Sequence, residues 1–192
     1  MEIDIIYGKF LAPIFDAYAH ASFSEDEMLT RVEERRAAWQ QEEERLLAGM
    51  QEVTGLTFFE NRIPVYVVGS YEGAFSDPIV ISSRTDSDWF VDVLTHELIH
   101  RLGDYNTQGV KAEVVTVGLF SDITDSTILR HVFVHAVHAH LYLEVLGDAN
   151  RLKRDVERGE EPPEYREAWN VVEQTGYQNI LNDFRGHKGR PT

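Results

Sequence analysis

Asp88-Trp89-Phe90-Val91-Asp92-Val93-Leu94-Thr95-His96-Glu97-Leu98-Ile99-His100-Arg101-Leu102 is the stretch that decides how this chain is read. The pattern predicts a helix. Asp86 or Ser87 can cap its start, and Gly103 can stop it. Trp89, Phe90, Val93, Leu94, Leu98, Ile99 and Leu102 supply its apolar faces. Within it stands His96-Glu97-x-x-His100. On a helix, residues four apart lie one turn apart on one face, about 6 Å along the axis. Two imidazoles so placed can grip one Zn²⁺ at roughly 2.0–2.1 Å each. Glu97 follows the first imidazole directly, beside such an ion without having to bind it. A carboxylate there can take a proton from a water that the ion has acidified to a pKa of about 7. Two histidines and a glutamate inside an apolar helix are costly unless something compensates, and a metal would.

Working outward, 192 residues are enough for one domain with a substantial core. We take residues 1–192 as a single domain with its core at 60–146. At 43% hydrophobic and 27% charged the composition is that of a soluble globular protein. The net charge of −15 and pI near 4.8 argue against nucleic acid and anionic membrane as partners. The chain has no cysteine, so disulfides and thiolate metal sites are excluded. Any zinc must use His, Asp or Glu. The N-terminus lacks a basic segment followed by an apolar one, and no run nears the roughly 18 apolar residues of a membrane span. A cytoplasmic protein is expected.

Before the central helix, residues 2–7 read as a strand, and Phe10–Tyr18 as a helix interrupted at Pro13. Ser24 with Glu27 forms a capping-box pattern. One long polar helix is predicted from there to about Met50, with Met28, Val32, Trp39, Leu46 and Met50 as its apolar stripe. Gly55 ends it. Ile63–Val68 and Pro78–Ser82 are strands, joined by a turn-rich loop from Gly69 to Asp77.

After Gly103–Gly109, Val110–Phe120 reads as a helix, and Asp122–Asp125 offers caps for the next one. That next helix, Thr127 to Gly147, is strongly apolar yet carries four of the eight histidines. His131, His135, His138 and Tyr142 fall within an arc of roughly 60°. His140 points the other way and, like His20 and His187, reads as a buried histidine satisfied by a backbone carbonyl. Asp148–Thr192 is polar and helical, broken by Pro162-Pro163, with a helix at about Tyr165–Glu173 and a frayed tail from Gly186. Asp148–Arg158 is highly charged and carries no evident chemistry.

A catalytic zinc keeps three protein ligands and an open position. Glu113, His131, His135, His138 and Glu144 are candidates for the third. Glu113 is too near His100 in sequence for the chain to return over the ion, and Glu144 lies off the histidine arc. His131 and His138 are about 10.5 Å apart along the axis and cannot share one ion. We favour His131 as the ligand, with His135 bonding a ligand, the water or a developing oxyanion. His135, His138, Tyr142 and Tyr105 are all candidates for that last task.

A strand pair, a helix with His96-Glu97-Leu98-Ile99-His100, and a downstream helix offering a third ligand resemble the zincin metallopeptidases. Among these the layout is most similar to a minimal, thermolysin-type gluzincin. The likeness spans about residues 60–146, and its specific part is the five-residue motif. It implies an α+β fold, with a small mixed sheet, an active-site helix and a mostly helical C-terminal half. It also implies Zn²⁺ on His96 and His100, Glu97 as general base, and Ile79–Ser82 as a sheet edge that receives an extended peptide. Gluzincins use a glutamate as third ligand, followed on the same helix by an acidic residue; here His131 and His135 stand in those places. No third histidine follows Gly103 closely, as it would in a metzincin. The expected activity is a zinc-dependent hydrolase acting on a peptide or small amide, with Glu97, His135 and Tyr142 as catalytic residues and His96, His100 and His131 on the metal. The rival readings are a zincin-like metal-binding module that does not cleave, and a helical protein with buried histidines and no metal.

Overall fold

The computed structural model describes residues 1–19, 23–69, 71, 73–159 and 162–187. It is α+β: a four-stranded mixed sheet in the N-terminal part, then a mostly helical C-terminal half. The described chain forms two compact units, residues 1–44 with 60–101, and residues 45–59 with 102–192.

The first unit holds the sheet. Strands β1 (Glu2–Tyr7), β2 (Arg62–Val68), β3 (Ala74–Ser76) and β4 (Ile79–Ser82) lie in the order β1-β2-β4-β3. The first two pairings are parallel and the last is antiparallel. Ile3 pairs with Ile63, Ile5 with Val65, and Val65 with Ile79. Alternation along β1 and β2 puts these side chains on the covered face. All four residues of β4 are buried, as expected of an interior strand. Ile79–Ser82 is therefore not the sheet edge that the resemblance implied. The short β3, inside the stretch read as a loop, pairs along it and takes the edge position.

Helix α1 (Ala12–Ala19) starts at Ala12, so Pro13 sits in its first turn rather than interrupting it. Helix α2 (Glu25–Gln40) opens on the expected capping box, with both Ser24–Glu27 bonds made. It ends at Gln40, and α3 (Glu43–Thr54) is separate. No glycine or proline marks this break. Gln41 N–H and Glu42 N–H bond three residues back, to Ala38 and Trp39, which tightens the last turn and ends the helix. The predicted stripe is buried in both helices and also includes Arg35.

Arg35 anchors the entry to the central helix. It is only 6% exposed, and its guanidinium donates to the carbonyls of Ser83 (3.0 Å) and Thr85 and to Glu34. Arg31 adds a bond to the Ser83 carbonyl (3.1 Å). These bonds fix the connection from β4 into α4 (Ser87–Asp104). Asp86 then caps α4, its carboxylate accepting from Trp89 N–H at 2.8 Å.

In the second unit, α6 (Ser126–His140) is central and packs against α5 (Ala112–Leu119), α8 (Pro163–Thr175) and α9 (Tyr177–His187). Asp125 caps α6 through Thr127 N–H and Ile128 N–H. The predicted helix to Gly147 is continuous but changes type, becoming π-helical over Leu141–Leu146 before Gly147 closes it in the left-handed region. Helix α7 is Ala149–Arg158. Gly103 does not stop α4, which runs one residue further. Its missing side chain is filled space instead: a Cβ there would stand 3.0 Å from Ala112 Cβ and 3.3 Å from the Phe133 ring. Gly186 and His187 belong to α9 rather than to a tail, while residues 188–192 lie outside the described residues. Among the described residues, no helix is long and apolar enough to cross a membrane.

Charge-assisted hydrogen bonds such as those of Arg35 contribute roughly 1.5–3 kcal/mol each, and deleting the guanidinium strands buried carbonyls. Arg35→Ala is expected to lower unfolding free energy by about 3 kcal/mol, read from the urea midpoint. Arg35→Lys should recover less than half, because one ammonium cannot reproduce the fork.

Candidate metal centre

Helix α4 is oriented by its apolar face. Phe90, Leu94, Leu98, Ile99 and Leu102 have no exposed surface, each contributing about 1.5–3 kcal/mol of burial. Trp89 and Val93 were expected on that face but are only half-buried. They share a strip about 60° wide with His96 and His100, which are half-buried too. Glu97 borders this strip and is buried, at 8% exposure. The far end of the helix is tied down beside His100. Arg101 donates to Glu60 (3.0 Å from Nε), to Asp77 (2.9 Å) and to the Ser76 carbonyl (3.1 Å).

The ring nitrogens Nε2 of His96 and His100 are 3.1 Å apart. Two nitrogens bound to one tetrahedral zinc at roughly 2.0–2.1 Å stand about 3.3 Å apart, so the pair is already spaced for a shared ion. His131 completes the group. Each of His96, His100 and His131 offers one ligand atom, and these atoms all lie within 4.8 Å of one another. The three histidines form a cluster that can hold a metal ion.

The donor chemistry of His131 agrees. Its Nδ1 is 2.7 Å from the Thr127 carbonyl, which can only accept, so Nδ1 carries the proton. Nε2 therefore keeps its lone pair, the arrangement in which a carbonyl fixes the tautomer of a ligating imidazole. Burial pushes the His131 pKa down, opposed by the Thr127 bond and helped by the Arg130 charge, so the neutral, ligating form is favoured. Burial pushes the Glu97 carboxyl up, to about 7. The buried carboxyl thus holds a proton more readily than an ordinary glutamate does.

His135 and Tyr142 stand elsewhere on the same stripe. The His135 ring is 5.6 Å from that of His131, and it stacks on Trp169 of α8 at 4.1 Å and 7°. His131 lies against Tyr165, with centroids 3.9 Å apart. His138 is fully buried, its Nδ1 2.7 Å from the Tyr142 hydroxyl and 3.3 Å from an Asp155 carboxylate oxygen. The remaining acidic candidates are engaged: Glu113 pairs with Arg130 at 3.4 Å, and Glu144 accepts from the Tyr177 hydroxyl at 2.6 Å. Tyr105 lies under the Lys111 ammonium. His187 bonds the Asp183 carbonyl at 2.8 Å, as read from the sequence, but it is half-buried rather than buried. His140 is half-buried near Tyr177, and His20 lies outside the described residues.

Sequence reasoning missed Tyr165, Trp169 and Asp155. A signal for the first two was present. Tyr165 and Trp169 repeat the four-residue spacing of His131 and His135, so two helices packed in parallel bring ring against ring. Asp155 had none, lying in a charged segment whose inner face only packing reveals. Asp92, buried one turn before His96 on the same row, was likewise unread.

The two stripe histidines can be separated by experiment. His131→Ala is expected to lower zinc affinity at least about a hundredfold, as loss of one of three ligands should. His135→Ala should retain one zinc per chain, with affinity reduced about tenfold or less, in the lower range of effects from groups that only support a ligand. Elemental analysis and competition with a chromogenic chelator read both.

Comparison of the chain with protein-family models, with curated proteins and with solved structures returns no match.

Proposed function

We propose that this chain is a zinc-dependent hydrolase whose substrates are peptides or small amides. The observation that carries the reading is the His96–His100–His131 cluster, with the buried Glu97 directly following its first histidine. Three imidazoles with no thiolate are a donor set suited to zinc in a catalytic, rather than purely structural, role. His96, His100 and His131 would hold the ion. Bound zinc supplies Lewis acidity, polarising a carbonyl and making a water acidic enough to attack at neutral pH.

The chain's own groups do the rest. Glu97 accepts the proton of the attacking water and returns it to the leaving amine nitrogen, so that one carboxyl serves as base and then acid. Trp89 and Val93, half-buried along the same strip as the ligands, give the substrate an apolar surface. The Thr127 carbonyl holds the His131 ring in its ligating tautomer. His135 is assigned the support of His131 from the next turn, clamped by Trp169. Tyr142 has its hydroxyl against His138, so its role in this reading is to hold that histidine beside Asp155.

Glu97→Gln is the decisive variant. It should keep one zinc per chain and lose about 10²–10⁴ of kcat/KM towards a susceptible amide, the usual contribution of a positioned acid–base group. Full activity in this variant would remove Glu97 from the mechanism. One zinc per chain with no hydrolysis of peptide, ester or amide libraries by the unsubstituted protein would assign a metal-binding module instead. No zinc after incubation with the ion would end both readings.

A further inference from the structure

A cavity lies within the helical unit, and none of the three clustered histidines lines it. Helices α6 and α8 run parallel and meet ring on ring: His131 on Tyr165, then His135 on Trp169. One turn further, α6 presents Ala139 in the next place of that row. That residue and the facing residues of α8 line the cavity, of about 520 Å³. This is within the roughly 300–1,000 Å³ typical of small-ligand sites. Ala139, Leu152, Val156, Val172 and Trp169 give it an apolar floor.

The polar lining is ordered. Arg166, Asn170 and Glu173 line the cavity from one stripe of α8, at positions i, i+4 and i+7. Arg166 is near the helix start and Glu173 near its end, both exposed, and about 10.5 Å apart along the axis. The helix dipole adds to both charges' preferences. Its N-terminal end favours an anion, as Arg166 does, and its C-terminal end favours a cation, as Glu173 does. A ligand matched to this pattern has an apolar middle, a carboxylate at one end and an ammonium at the other, about 10 Å apart. Three extended residues at roughly 3.3 Å each span that distance.

We propose that this cavity binds a short peptide of about three residues with free termini and an apolar central side chain, its carboxylate at Arg166 and its ammonium at Glu173. The site goes beyond the hydrolase reading and does not depend on it. Trp169 is both a wall of the cavity and the residue stacked on His135, so its fluorescence reports occupancy.

The probe is Ala-Leu-Ala, titrated by calorimetry and tryptophan fluorescence into the full chain carrying Glu97→Gln, so that no turnover consumes it. Saturable binding is expected, unchanged after chelation of metal. Acetylating the amine or amidating the carboxylate should each weaken it about tenfold. Arg166→Gln should weaken the free peptide about tenfold yet leave the amidated one unaffected; Glu173→Gln should do the same for the acetylated one. Trp169→Phe should remove the fluorescence change. Equal binding of free and doubly blocked peptide would overturn the proposal, as would no saturation by about 10 mM. Binding lost on chelation would place the peptide at the histidine cluster and overturn it too. Peptide binding as expected here, with no hydrolysis of any peptide, ester or amide by the unsubstituted chain, would refute the hydrolase reading alone.

Discussion

The constraint on which the candidate site rests is the burial of α4. Five apolar side chains with no exposed surface fix which way the helix faces. The 100° step per residue then leaves no choice about the others: Glu97 is carried to the border of the buried face, and His96 and His100 to the half-buried strip. Placing a carboxyl there has a cost, visible in its raised proton affinity. The arginines limit how far the helix can relax. Arg35 grips the chain just before α4, and Arg101 grips Glu60 and Asp77 just after His100. The histidine pair is thus held on an element secured at entry and exit.

The histidine stripe of α6 is managed by different means. A buried neutral imidazole needs a partner for its proton, and a flat ring needs a flat neighbour. Thr127 supplies the first for His131, while Tyr165 and Trp169 supply the second for His131 and His135. His138 has the Tyr142 hydroxyl and Asp155. The consequence is a division of labour along one helix face. His131 joins the cluster that can bind a metal, His135 is stacked, and His138 belongs to a separate buried network. Where the stripe ends, at Ala139, the packing opens into the cavity.

Local rules were legible wherever the physics was local. The capping box at Ser24, Gly55 as a helix end, a cap drawn from Asp122–Asp125 and the spacing of His96 and His100 each depend on a few neighbouring residues, and each appears as read. The strand β3 was not legible. Ala74–Ser76 has no alternating apolar pattern and is a strand because β4 offers it a partner. The break after Gln40 and the π-helical stretch at Leu141 carry no glycine or proline signal. At the latter, Gly49 of α3 lets Leu141 and Val145 approach so closely that a Cβ would meet them at 2.8 and 2.9 Å. Gly103 was misread for the same reason: a glycine can end a helix or admit a neighbour, and only the neighbour decides.

The sequence by itself determined a pair of helical imidazoles with a carboxyl beside them, a second helix crowded with histidines, and the exclusion of thiolate chemistry. These follow from residue identity and from a period of 3.6. Which histidine joins the pair was decided by tertiary structure. His131, His135 and His138 share one arc, and periodicity cannot rank them. Their neighbours can: a carbonyl fixing one tautomer at His131, an indole over His135, a phenol and a carboxylate at His138. Those partners come from α7 and α8 and from the helix's own backbone and side chains, and only packing brings the distant ones within reach of a ring nitrogen or a ring face.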